Sequence, residues 1–219
     1  MLTNLDVARI IIETLSHQGV NHFVISPGSR STPFTVAIAR HPKSKSIVHY
    51  DERGAAFFAL GRARATGVPT VLVCTSGTAV ANYFPAVIEA SMDNVPMIIL
   101  SADRPPELIG VGANQSIFQE DIYGIYPRLS LNVPPPGPTM KAKDVLEMAR
   151  QMSDASTSTR PGPVHMNCQF RESLLPERAP DSELPFYNAE WVEVNSRRVS
   201  KSTNSLPSPF EGYEQLFQE

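Results

Sequence analysis

A chain of 219 residues, 42% hydrophobic and 19% charged, has the composition of a water-soluble globular protein, with apolar material for one generous domain or two small ones. The formal charge of -3 and pI near 6.0, with no long basic run interleaved with aromatics, argue against nucleic acid as a partner. The two cysteines, Cys74 and Cys168, lie in apolar strand-like runs and read as buried thiols in a reducing compartment, and no metal-ligand spacing appears among the five histidines.

The first predicted element is a packing helix between Met1 and Gly19. Leu5, Ala8, Ile11, Ile12 and Leu15 recur at helical spacing, with Asp6, Arg9 and Glu13 between them. These charges exclude a cleavable signal, and no run elsewhere is long enough for a membrane span. The chain is therefore expected to be cytoplasmic, or soluble in an organelle if a targeting piece is missing. Gly19 supplies a stop, and His22 to Ser26 reads as a buried strand. Pro27-Gly28-Ser29-Arg30-Ser31-Thr32-Pro33 then forms a turn into a helix: Gly28 for a positive φ, Ser31 or Thr32 as cap, Pro33 in the first turn. Backbone N-H groups, Ser29 and Arg30 could seat a carboxylate or phosphate there. A well-capped turn with a solvated Arg30 is the plain alternative.

A second strand, Ser46 to Tyr50, hands over to the small-residue run Ala55 to Gly61, which suits a buried helix. At the junction, Asp51 is a candidate cap and Glu52 falls in the first helical turn, where the helix dipole favours an anion. Glu52 is then either a solvated first-turn acid or a side chain presented to a ligand crevice, since strand ends form that crevice in open α/β sheets. Pro69 introduces the apolar strand Thr70 to Cys74, followed by Thr75-Ser76-Gly77-Thr78-Ala79. Here two hydroxyls are candidate caps and the glycine allows close backbone approach. Pro85 should bend the next helix or mark its restart.

Val95 to Ser101 is the next buried strand, delivering Asp103 and Arg104 to the same edge, as a ligand-facing charge or a turn with a local ion pair. The glycine-punctuated loop Gly110 to Gln119 is long enough to be functional or mobile; Asn114 and Gln115 could bind a ligand or satisfy loop backbone. Arg128 to Val133 reads as a strand, Lys141 to Met152 as a helix and Gly162 to Asn167 as a last strand, on which His165 is a hydrogen-bonded core histidine. Strands alternating with helices predict a three-layer α/β/α domain with a mostly parallel sheet over residues 1–175. From Pro176 to Glu219, prolines and serines without sustained period read as a linker, which Trp191, Phe186 and Tyr187 could pin to a surface.

Five ordered motifs carry a resemblance: Ser26-Pro27-Gly28-Ser29-Arg30-Ser31-Thr32-Pro33, Asp51-Glu52-Arg53-Gly54, Thr75-Ser76-Gly77-Thr78-Ala79-Val80-Ala81-Asn82, Ala102-Asp103-Arg104-Pro105-Pro106-Glu107 and Gly112-Ala113-Asn114-Gln115. Together they resemble the N-terminal, pyrimidine-binding domain of the 2-succinyl-5-enolpyruvyl-6-hydroxy-3-cyclohexene-1-carboxylate synthase family, thiamin-diphosphate-dependent transferases of menaquinone and phylloquinone biosynthesis. The resemblance implies that Glu52 hydrogen-bonds the cofactor's aminopyrimidine from a buried position, as the catalytic carboxylate. It implies that Thr75, Ser76 and Gly77 wall the pyrimidine, and that Ser29, Arg30, Arg104, Asn114 and Gln115 contact the anionic substrates, 2-oxoglutarate and isochorismate. It also implies that Mg2+ and the diphosphate are held by a domain this chain lacks, so that the chain alone should be inactive and should function in a homo-oligomer with that domain. A non-catalytic assembly module of the same fold, or part of another thiamin-dependent 2-oxoacid decarboxylase or carboligase, are the alternatives.

Overall fold

The computed structural model describes residues 1–175; the stretch 176–219, read above as a linker carrying Trp191, lies outside the described residues. Helix α1, Asn4–His17, starts at a capping box in which Thr3 and Asp6 satisfy each other's backbone N-H groups. It stops at Gly19, whose φ of +86° lets Gly19 N and Val20 N reach back to Ser16 O and Leu15 O. Strand β1, His22–Ile25, leads through the Gly28 turn to α2, Thr32–Arg40, with Pro33 in its first turn. Strand β2, Lys45–Val48, leads to α3, Glu52–Thr66, and β3 follows at Thr70–Cys74. Pro85 marks a restart: α4 covers Thr78–Asn82 and α5 covers Phe84–Met92. Strand β4, Met97–Asp103, is followed by a 3-10 turn at Pro106–Leu108 and a long connector to β5, Ser130–Val133. Helix α6, Ala142–Ser156, runs a turn beyond its expected end before β6, Pro163–Gln169.

The six strands are parallel throughout, in the order β2-β1-β3-β4-β6-β5. All carboxyl ends therefore share one edge, and the order reverses between β1 and β3, where open α/β sheets place ligands. The last strand in sequence lies inside the sheet: β6 pairs with β4 along seven residues, from Met97↔Pro163 to Asp103↔Gln169, and with β5 on its other side.

Side-chain alternation divides the core. Val71, Val73, Ile98, Leu100, Val164 and Met166 face one layer, with Leu5, Ile11, Ile12 and Leu15 of α1 and Val145 and Ala149 of α6. Leu72, Cys74 and Ile99 face the other, packed against an alanine stripe, Ala55, Ala56, Ala59 and Ala63 of α3 with Ala86 and Ala90 of α5. Each fully buried Val, Ile or Leu contributes about 1.5–3 kcal/mol of removed apolar surface. The alanines bring α3 close, but its other face is open: Phe57 and Phe58 stand about half exposed, so the Ala55 to Gly61 run is not the wholly buried helix expected. Strand β2 is exposed at all four positions because it is an edge strand.

The connector between β4 and β5 does not hang free. Tyr123 is fully buried, its hydroxyl donating to Val80 O at 2.6 Å and its ring edge-on to His165 with centroids 4.9 Å apart. No described helix is long and apolar enough to cross a membrane.

Candidate functional site

Glu52 is the first residue of α3. Asp51 caps the helix, its Oδ1 accepting from Gly54 N at 2.6 Å. The His49 imidazole packs over this turn, and a Cβ on Gly54 would come within 2.6 Å of its Cε1, so any side chain there has to displace the ring. Glu52 is half-buried rather than buried, because its strand lies on the sheet edge and no described element covers it. It has no hydrogen-bond or ion-pair partner among the described residues. Its charge reaches inward, however: burial pushes the Cys74 thiol far up, and Glu52 adds to that rise. The carboxylate therefore acts electrostatically on the end of β3.

The ends of β1 and β3 are interlocked. Ser26 N donates to Val73 O at 2.8 Å, and the buried Tyr83 hydroxyl reaches Val73 O and Ser26 Oγ at 3.1 and 3.2 Å. Gly28 does not adopt the positive φ expected of it. Its constraint is space, since a Cβ would sit 2.3 Å from Thr75 Cβ. The expected hydroxyl caps are absent too: Ser31 Oγ donates to Gly28 O, Thr75 Oγ1 accepts from Arg30 N at 3.2 Å, and Gly77 itself is the residue before α4, at φ +88°. Ser76 and Gln115 pair reciprocally, Ser76 Oγ donating to Gln115 O and Gln115 Nε2 to Ser76 O, both at 3.0 Å. Thr75, Ser76 and Gly77 thus form a buried wall whose polar groups are engaged within the chain.

Arg30 is not the solvated side chain of the plain alternative: it is 4% exposed, with Nη1 donating to Phe170 O and Nη2 2.9 Å from Glu172 Oε1. Its buried Nε has no partner. The segment after β6 that carries Glu172 is pinned by Asn4 Nδ2, which donates to Arg171 O and Ser173 O, and by a forked Arg171–Glu107 pair at the surface. Ser29 and Asn114 are exposed, and Arg104 is half-buried with an unpartnered buried Nε.

Asp103 does not pair with the Arg104 guanidinium. Its Oδ1 accepts the Arg104 backbone N-H at 2.7 Å and its Oδ2 accepts Asn167 Nδ2 at 2.8 Å. Desolvation lifts this carboxyl to about 6, against the pull of Asn167 and Arg30. Asn167 Oδ1 also accepts from Ser101 Oγ and Gln119 Nε2, both at 2.9 Å, and Gln119 Oε1 accepts Gly77 N at 2.8 Å. Ser101 spends its one proton on Asn167 and lies 2.7 Å from His165 Nε2, so the imidazole is the donor there. Burial holds His165 down to about 3, neutral, as a core histidine should be.

All nine sequence-derived site residues, Ser29, Arg30, Glu52, Thr75, Ser76, Gly77, Arg104, Asn114 and Gln115, stand on the carboxyl-end edge of the sheet. Arg30, Thr75, Ser76, Gly77 and Gln115 touch one another in chains. Glu52, Ser29, Asn114 and the Arg104 guanidinium make no such contact among the described residues. Gln119, Asn167 and Glu172 were not singled out from sequence. The alternation of His165, Asn167 and Gln169 with Met166 and Cys168 is a signal for Asn167, whereas nothing local marks Gln119 or Glu172. Among the described residues no three His, Cys, Asp or Glu side chains gather as a metal site.

Residues 5–124 match the family described as thiamine pyrophosphate enzyme, N-terminal TPP binding domain. The chain is 54% identical over 177 residues to a 2-succinyl-5-enolpyruvyl-6-hydroxy-3-cyclohexene-1-carboxylate synthase of Rubrobacter xylanophilus, covering 81% of this chain and 31% of that protein. Proteins of the same name from Chlorobaculum parvum and Pelodictyon phaeoclathratiforme are 55% identical over 169 residues and 56% over 195, covering 77% and 88% of this chain and 29% and 32% of theirs. The chain thus spans about a third of the length of the curated relatives it matches.

Proposed function

Since the chain belongs to the thiamine pyrophosphate enzymes through their N-terminal TPP binding domain, we propose that it is the pyrimidine-binding part of a synthase that decarboxylates 2-oxoglutarate and joins the remaining four-carbon unit to isochorismate. Residues 1–175 are that domain, and 176–219 lead towards the rest of the enzyme. The relatives named 2-succinyl-5-enolpyruvyl-6-hydroxy-3-cyclohexene-1-carboxylate synthase, 54–56% identical over 77–88% of this chain, support the reading.

The observation that carries the reading is the placement of Glu52: an unpartnered carboxylate, rigidly capped in at the start of α3, on the ligand edge of the sheet and electrostatically coupled to the end of β3. These residues fit the cofactor's pyrimidine, because Glu52 offers a strong acceptor that no described side chain uses. Thiamin diphosphate, when bound, supplies the electron sink for decarboxylation and carbon-carbon bond formation. Glu52 would accept a hydrogen bond from the pyrimidine, and the Thr75–Gly77 wall would set the ring's position. Covering by a second folded unit would lower the dielectric around Glu52 and strengthen that hydrogen bond. Arg104, whose Nε has no described partner, would pair with a substrate carboxylate; Arg30, with Nη1 and Nη2 already on Phe170 O and Glu172, would reach one through Nε or by exchanging Glu172 for it, with Ser29, Asn114 and Gln115 as neutral contacts. Mg2+ and the diphosphate are held by residues outside this chain, in a cytoplasmic homo-oligomer.

The test is reassembly. The chain is combined with the remaining two-thirds of a close relative and assayed with isochorismate and either 2-oxoglutarate or pyruvate. Product from 2-oxoglutarate, lost by at least a hundredfold in Glu52→Gln with the fold retained, is the expected result. Equal activity of Glu52→Gln, or preference for pyruvate, overturns it.

A further inference from the structure

Two backbone amides at the candidate site are joined by an unbroken run of side-chain hydrogen bonds. Gly77 N-H, at the cofactor wall, donates to Gln119 Oε1; Gln119 Nε2 donates to Asn167 Oδ1; Asn167 Nδ2 donates to Asp103 Oδ2; and Asp103 Oδ1 accepts Arg104 N-H. The four bonds measure 2.8, 2.9, 2.8 and 2.7 Å. Gln119, Asn167 and Asp103 are each 1% exposed, so water cannot replace a lost partner.

The direction of the run is fixed by chemistry. A backbone N-H can only donate, so Gln119 must present oxygen to Gly77 and nitrogen to Asn167. That nitrogen also donates to Ala102 O at 3.2 Å, which a flipped amide could not do. Asn167 Oδ1 in turn receives Ser101 Oγ as well as Gln119, leaving its nitrogen for the carboxylate. Neither amide can be reversed without setting donor against donor. The run spans four elements, the β3–α4 turn, the end of β4, the β4–β5 connector and β6, and both its ends are main-chain groups of segments that line the site.

We infer that Gln119 and Asn167 are positioning residues that fix the spacing between the Thr75–Gly77 wall and the Arg104 turn. This rests on the reading of those segments as cofactor and substrate walls. Gln119 and Asn167 act through the backbone of others, and neither is assigned a contact with ligand.

The decisive measurement is residue-resolved amide exchange on the folded chain, for the parent and for Asn167→Leu, which keeps volume and touches neither terminal amide. Both Gly77 and Arg104 should exchange at least fivefold faster, after correction for any change in global stability read from β3 and α1 amides. A change below twofold at both positions overturns the inference. Should Asn167→Leu fail to fold, Gln119→Glu decides. Protonated at pH 5, its carboxyl keeps an acceptor for Gly77 and a donor for Asn167, so exchange should match the parent at that pH. Ionised at pH 8 it loses the donor, and Arg104 should exchange at least fivefold faster than in the parent. An Arg104 rate indifferent to this change refutes the inference. Thiamin diphosphate with Mg2+ is titrated against the same variants in the reassembled enzyme. If the parent enzyme does not bind it, the functional reading falls by that result, while the exchange rates still decide whether the two walls are held together.

Discussion

The two sides of the sheet's carboxyl-end edge are built differently. At the ends of β1 and β3, Gly28 is pressed against Thr75 and Gly77 against Gln115, Ser76 pairs with Gln115, and Gly77 N donates to Gln119. At the β2–α3 corner the strand is exposed, Phe57 and Phe58 face outward and Glu52 has no described partner. One side is a finished wall. The other holds a single acid in a fixed place and leaves its surroundings open, so the domain is closed on one side of this edge and open on the other.

The contrast predicts a graded set of effects. Gly28→Val forces branched carbons into space already held by Thr75, and overpacking of this kind should cost about 3 kcal/mol, read from the urea unfolding midpoint. A loss below about 1 kcal/mol would show the wall to be yielding.

Next comes pH. Asp103 is held up at about 6 from 3.8, so its contribution to stability is full below about pH 4 and is lost as pH rises through about 6. His165, held down to about 3 from 6.5, contributes in the opposite sense: its share is full above pH 6.5 and is lost as pH falls towards 3. Between about pH 4 and 6 the two slopes oppose each other. Asp103→Asn removes one of them, so its stability relative to the parent should climb by about 2 kcal/mol across that interval in denaturation series at stepped pH.

Gly54→Ala tests the open corner. The new methyl meets side-chain atoms alone, the His49 ring at 2.6 Å and the Asp51 cap at 3.1 Å, and alanine is the better helix former by about 1 kcal/mol. A net change within about 1 kcal/mol is expected, in contrast to Gly28→Val. The smallest effect belongs to Glu52→Gln. With no partner to lose, its stability should stay within about 0.5 kcal/mol of the parent by thermal or urea unfolding.

Much of the fold was legible because parallel strands covered on both faces read as apolar runs, as at Thr70 to Cys74, and because caps and prolines punctuate the helices at Asp51, Pro33 and Pro85. The sheet's order was not, since nothing local to Pro163–Gln169 says that the strand inserts between β4 and β5. At the site, motifs located the strand-end residues but not their employment. Gly28 invites explanation by backbone angle when the cause is Thr75, far along the chain, Arg30 Nη2 turns out to meet Glu172, and Gln119 finds its partner in β6. Such facts belong to tertiary pairing, which leaves no periodic trace.

The interior berth of β6 bears on how the molecule is made. While the chain is still emerging, β4 has an unsatisfied flank and β5 has nothing to pair with until residues 163–169 arrive. The half of the sheet that carries Asp103 and Arg104 is therefore zipped up last, and a polypeptide interrupted ahead of Gln169 would leave an adhesive strand border open to other chains.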